Sequence, residues 1–198
     1  MKRVRLLLWV LVALAVAGTA ALLLLPRGAV DTPGVKPAAQ RSLGGPFTLV
    51  DGNGRSFSSE KLAGTPYAIY FGFTRCGDVC PTTLSRLVRL RKEAARDDAL
   101  RIVFVTIDPA HDGPSEVGQY AGLFNAPIIG LTGSQAQIDQ VKKQYGIYAE
   151  PEPHAAMGKE MTHTATVLLF DRNGRFVTTI APEQSDGSAL DKLGRLAT

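Results

Sequence analysis

The pattern of apolar and polar positions divides the chain into three stretches. Residues 6–25 (LLLWVLVALAVAGTAALLLL) form a run of 20 without a charge, about the length a helix needs to cross a hydrocarbon core of about 30 Å. Residues 26–46 carry Pro26, Pro33, Pro37 and Pro46 among Gly28, Gly34, Gly44 and Gly45, the composition of a semi-extended linker. From residue 47 onward, short apolar runs alternate with helical spacing. Residues 47–50 and 55–57 flank Asp51-Gly52-Asn53-Gly54, which predicts a hairpin. Residues 67–73 (YAIYFGF) and 101–107 (RIVFVTI) read as buried central strands. Between them Pro81 suits the first turn of a helix over residues 82–96, where Leu84, Leu87, Val88 and Leu90 fall near helical spacing. Further helices are expected over 115–124, from a Ser134 cap to about residue 145, and over 188–196. Strands are expected over 127–131, 163–170 and 176–180, the last two joined by an Asn173-Gly174 turn, with a loop over 150–162.

Strands alternating with helices, then a closing hairpin and helix, describe an α/β domain with a mixed sheet. The loop between residues 73 and 81 leaves a central strand and enters a helix, which is the thioredoxin arrangement. The expected organisation is a membrane anchor over 1–25, a linker over 26–46 and a thioredoxin-like domain over 47–198.

Charge changes the picture only at the N-terminus. The formal net charge is +4, but Lys2, Arg3, Arg5 and Arg27 account for it, and the remaining 18 basic and 18 acidic residues cancel. A neutral globular part offers no electrostatic footprint for phosphate backbones, which excludes nucleic-acid binding. Three basic residues ahead of the apolar run hold the short N-terminus inside and export the rest. A cleaved signal peptide is the competing reading, with Ala15-Val16-Ala17 as its cleavage site. The apolar run is longer than the 7–15 residues usual for such peptides, which favours an uncleaved anchor.

The chain has two cysteines, Cys76 and Cys80. A disulfide between them closes too short a loop to stabilise the fold much, so the pair reads as functional. Placement just before a helix, with Arg75 adjacent, favours the thiolate. That is the species that attacks disulfides and binds metals.

YFGFTRCGDVCPTTL (70–84), VFVTIDPAHDGP (103–114) and THTATVLLFDRNGRFV (162–177) together resemble the Sco (SenC) family, thioredoxin-like copper proteins of cytochrome c oxidase assembly. The first carries that family's CxxxC, the second its TxDPxxD segment, and the third its single ligand histidine. Gly77 stands where the family usually has proline, and Thr162 where it usually has an acidic residue. The resemblance implies a copper site on Cys76, Cys80 and His163, one ion per domain. It implies delivery to the binuclear copper centre of cytochrome c oxidase subunit II, with a thiol reductant or copper-donor protein as a further partner. The charge bias around the apolar run, with a short N-terminus and no separate targeting stretch, leads to the expectation of a domain on the outer face of a bacterial inner membrane.

Two soft thiolates and an imidazole suit copper in either oxidation state, and the sequence offers no convincing fourth ligand for a structural zinc site. A thiol–disulfide oxidoreductase is the alternative. Three residues between the cysteines, and no proline before His163, lean toward metal. His111 and His154 read as exposed loop residues, Met157 and Met161 as packing, and Asp78 as supporting only. Asp108 and Asp112 are expected to shape their own loop through side-chain turns.

Overall fold

The structure is a computed structural model; it describes residues 43–94, 99–151 and 161–196, together with Arg3, Trp9 and Leu14. Apart from Trp9 and Leu14, the expected membrane span over 6–25 lies outside the described residues, as does most of the linker. No helix among the described residues is long and apolar enough to cross a membrane.

Among the described residues from 43 onward, nine strands, β1 (Thr48–Asp51), β2 (Ser56–Ser58), β3 (Tyr67–Gly72), β4 (Arg101–Thr106), β5 (Ile128–Thr132), β6 (Ala149–Pro151), β7 (Met161–His163), β8 (Val167–Phe170) and β9 (Phe176–Ile180), alternate with four α-helices. The helices are α1 (Val79–Glu93), α2 (Pro114–Gly122), α3 (Gln135–Tyr145) and α4 (Asp186–Arg195). Seven strands form one sheet in the order β2-β1-β5-β4-β3-β8-β9. β3, β4 and β5 are parallel, and β1, β2, β8 and β9 join antiparallel, so the mixed sheet expected from the alternation is present.

The centre of that sheet is dry for a sequence reason. All six residues of β3 are buried, as are five of the six in β4, because neither run alternates with polar residues. Aromatic rings lock the layer: Tyr67 stacks on Phe170 at 4.8 Å, and Tyr145 from α3 meets both Phe71 and Phe170. α3 starts at a Ser134–Gln137 capping box and stops at Gly146, whose φ of 65° is the left-handed conformation glycine adopts without strain. Arg86 and Arg89 of α1 both pair with Asp186 and tie α1 to α4.

Three expectations need correction. α1 runs from Val79 to Glu93, so it ends before residue 96 and takes in Cys80, which was expected just ahead of it; Pro81 lies in its first turn as expected, where a proline leaves no intrahelical bond missing. Residues 163–170 are not one strand: Thr164–Thr166 interrupt it, and His163 belongs to β7. The segment expected as a loop supplies β6 and β7, which pair as a separate ribbon with Ala149 opposite His163. Alternation alone could not separate β7 from β8, because the break, Thr164-Ala165-Thr166, carries threonines that strands favour.

Candidate metal centre

Cys76 sits in the loop after β3, Cys80 in the first turn of α1, and His163 at the end of β7. These elements are distant in sequence, yet Cys76 Sγ, Cys80 Sγ and a ring nitrogen of His163 lie within 4.8 Å of one another. Cys80 Sγ is 3.5 Å from His163 Nε2, a separation two donors reach when each bonds one metal at about 2.0–2.3 Å. Both cysteines are free thiols. Among the described residues no further His, Cys, Asp or Glu joins the group.

The surroundings of the histidine set which ring nitrogen carries the proton. Its Nδ1 lies 3.2 Å from the Thr164 carbonyl oxygen, which only accepts, so the proton belongs on Nδ1 and Nε2 keeps its lone pair toward the sulfurs. Burial lowers the His163 pKa, against a smaller opposing pull from that carbonyl, so the ring is held neutral. Phe73 and Tyr70 stand edge-on to it at 5.9 and 6.2 Å.

The two sulfurs differ. Cys76 is half-buried and accepts the Cys80 backbone N–H at 3.3 Å, as a helix N-terminus allows. Cys80 is fully buried, and burial pushes its thiol up to about 12, against a smaller downward pull from Tyr70. The expectation that both thiols are activated therefore fails for Cys80, where desolvation outweighs the helix dipole. Arg75 does not serve the thiols as expected either, because its guanidinium pairs with Asp108.

The aspartates of the 103–114 segment do more than shape their own loop. Asp112 is completely buried. Its carboxyl group accepts from Thr74 N at 2.8 Å, Thr74 Oγ1 at 2.6 Å and Thr106 Oγ1 at 2.6 Å. Thr74 lies two residues before Cys76, so Asp112 fastens the start of the cysteine loop to the end of β4. Asp108 holds both Arg75 and His111 Nδ1, the latter at 2.9 Å. His111 is exposed, as expected. Asp78 is also exposed and receives the Thr82 hydroxyl at 3.3 Å. Met161 packs against the core; His154 and Met157 lie outside the described residues.

Gly72 closes the inner wall. A Cβ at that position would lie 2.8 Å from Cys80 Sγ, 3.1 Å from Tyr70 Cε1 and 3.2 Å from Phe104 Cε2. Sequence reasoning did not single out Gly72, Tyr70 or the link from Asp112 to Thr74. The first two stand in the strand that precedes the cysteines. The third needs the parallel pairing of β3 with β4, which brings Thr106 beside Gly72.

Fold and donors together define a thioredoxin-like domain with two thiols and an imidazole converging beside its central strand. The sequence model of the SCO1/SenC family matches residues 35–198, and the chain belongs to that family. It is 35% identical over 156 residues to "Protein SCO2, mitochondrial" of Saccharomyces cerevisiae, covering 77% of this chain and 52% of the relative. The chain thus spans about half the length of that yeast protein. An SCO2-like protein of Rickettsia prowazekii is 35% identical over 144 residues, covering 68% of this chain and 67% of its own length. Among solved structures, Bradyrhizobium japonicum ScoI with copper bound superposes with a TM-score of 0.70 at 35% identity, covering 78% of this chain and 99% of the other. Yeast Sco1 with copper bound gives 0.69 at 32% identity, covering 78% and 87%.

Proposed function

We propose that this chain is a membrane-anchored copper-binding assembly factor of cytochrome c oxidase. It holds one copper ion on Cys76 Sγ, Cys80 Sγ and His163 Nε2, and passes it to the binuclear copper centre of oxidase subunit II. The observation that carries this reading is the convergence of those three donor atoms within 4.8 Å. Two sulfurs and a nitrogen are a donor set that serves both copper oxidation states. The copper-bound relatives from B. japonicum and yeast support the same metal. The resemblance to the Sco family supplies the oxidase as destination.

Each donor has a distinct part. Cys76, half-exposed, meets the incoming ion first. Cys80 gives up its proton as the sulfur takes the metal, so loading releases protons and strengthens as pH rises. His163 is already neutral, with its Nε2 lone pair turned toward Cys80 Sγ, and needs no rearrangement. Three protein donors leave a position through which a recipient's ligand can enter.

The anchor over 6–25 and the linker over 26–46 are the remaining parts of the proposal, placing the domain outside a bacterial inner membrane. A reporter fused after Thr198 is then active only outside the cytoplasm. A mature protein beginning near Thr19 and free of the membrane refutes the anchor.

A second reading, thiol–disulfide exchange with client cysteines, is favoured by the half-exposed Cys76 in front of the buried Cys80. That is how an attacking thiol and its resolving partner are arranged. His163→Ala separates the two readings, because exchange needs only the sulfurs. Under the copper reading this variant keeps a reversible Cys76–Cys80 disulfide, loses Cu(II) affinity and fails in oxidase assembly at limiting copper. Normal assembly by His163→Ala at every copper level overturns the carrier function.

A further inference from the structure

A folded protein rarely leaves a buried hydroxyl without a partner, and each instance calls for a reason. Two such hydroxyls lie near Cys80. The Tyr70 and Tyr120 oxygens are both closed off from solvent, and neither meets a protein group in hydrogen-bond geometry. Tyr120 senses Cys80, Cys76 and Asp112 only through their charge. Tyr70 is closer. Its ring edge and Cys80 Sγ converge on the space that Gly72 leaves open, 3.1 and 2.8 Å from the position a Cβ would take. Besides burial, Cys80 and Thr83 are side chains near enough to its hydroxyl to act on its ionisation.

We propose that the Tyr70 hydroxyl is the hydrogen-bond donor to the Cys80 sulfur once that sulfur is anionic and metal-bound, which makes Tyr70 a positioning residue of the metal centre. This rests on the copper reading above. A neutral thiol is a weak acceptor, so in the metal-free dithiol the hydroxyl has nothing strong to donate to. Loading the site places negative charge on the sulfur in a dry environment, and the contact becomes a charge-assisted bond. The neutral Thr83 oxygen competes poorly with that acceptor. His163 approaches the same sulfur at 3.5 Å. The desolvation of the Tyr70 hydroxyl is present in both states, whereas its partner exists only in the loaded one. The bond therefore contributes to metal affinity and not to the metal-free fold.

Tyr70→Phe removes one oxygen and keeps the ring. In the reduced full-length protein, the metal-free Tm is expected to stay level or rise, because an unpartnered buried hydroxyl is lost. Cu(I) affinity, read by competition with a chelator, is expected to fall on the order of tenfold. The Cu(II)–thiolate charge-transfer band is expected to move to longer wavelength as the sulfur loses its donor. Thr83→Val should leave that band in place. Unchanged affinity and band in Tyr70→Phe overturn the proposal, as does a fall in metal-free Tm, which would show that the hydroxyl already serves the fold. A band shift in Thr83→Val alone reassigns the donor and overturns it too. A wild-type chain that takes up no copper overturns the metal reading itself, and this proposal with it.

Discussion

Replacing Gly72 with alanine adds one methyl group at the wall of the centre, and the contacts predict which property fails. The new Cβ would lie 2.8 Å from Cys80 Sγ, and also press on Tyr70 Cε1 at 3.1 Å and Phe104 Cε2 at 3.2 Å. Tyr70 and Phe104 are fully buried rings in β3 and β4, and moving them strains the sheet. Overpacking of that kind costs about 1–3 kcal/mol. Cys80 has an easier escape, because rotation about χ1 swings the sulfur away. That rotation relieves the closest contact and breaks the 3.5 Å approach to His163 Nε2. The variant is therefore expected to lose about 1 kcal/mol in urea unfolding of the metal-free protein, near the low end of that range. Its copper affinity is expected to fall by more than 100-fold, as removal of one of three donors requires, roughly 3 kcal/mol at about 1.4 kcal/mol per decade. Urea titration and chelator competition on the same preparation measure both. Wild-type copper affinity in a folded Gly72→Ala protein would refute the reasoning, because it would mean that the sulfur does not occupy the space beside Gly72.

Asp112→Ala removes the acceptor of three hydrogen bonds at the base of the cysteine loop, and leaves buried donors behind. It is expected to cost about 3 kcal/mol in chemical unfolding, with Asp112→Asn costing less because an amide oxygen can still accept from Thr74 N. Oxidation of Cys76 and Cys80 to a disulfide removes both sulfur donors at once, so the oxidised protein is expected to retain no tight copper after desalting. Equal copper content in oxidised and reduced samples would contradict a centre built on these sulfurs.

Much of this centre was legible before the fold was known. The unbroken apolar runs of β3 and β4 marked central strands because burial on both faces removes the need for alternation. The two cysteines marked the loop between strand and helix. His163 became prominent only through the motif around it, since a lone histidine at a strand start carries little chemical signal. The chemistry of the individual donors was less legible. Arg75 stood next to Cys76 in sequence, but its charge goes to Asp108, which arrives from the end of β4. The helix N-terminus reaches both cysteines in sequence terms, yet the N–H of its first turn goes to Cys76, from Cys80. Asp112, Gly72 and Tyr70 gain their roles through the pairing of β3 with β4 and the packing of α1 against them. None of these contacts leaves a periodic trace.

The asymmetry between the sulfurs decides how such a centre can work as a carrier. Two equally exposed thiolates would capture copper readily, but they would also oxidise readily to a disulfide, because the attacking species is already present. Here the half-buried Cys76 sulfur accepts a helix N–H, whereas the Cys80 thiol is pushed up to about 12 by burial. In the proposed copper site the inner sulfur stays protonated at neutral pH until a cation replaces the proton, so it resists acting as an attacking thiolate. Metal capture and thiol protection then come from one physical cause, the exclusion of water by Tyr70, Phe73, Phe104 and the β3 backbone. Opening that wall would weaken both together. Moving a polar side chain into it, as in Phe73→Ser, should lower the Cys80 thiol pKa and speed air oxidation of the dithiol while loosening the copper. Slower oxidation in that variant, followed by free-thiol titration over time, would show that burial is not what protects the pair.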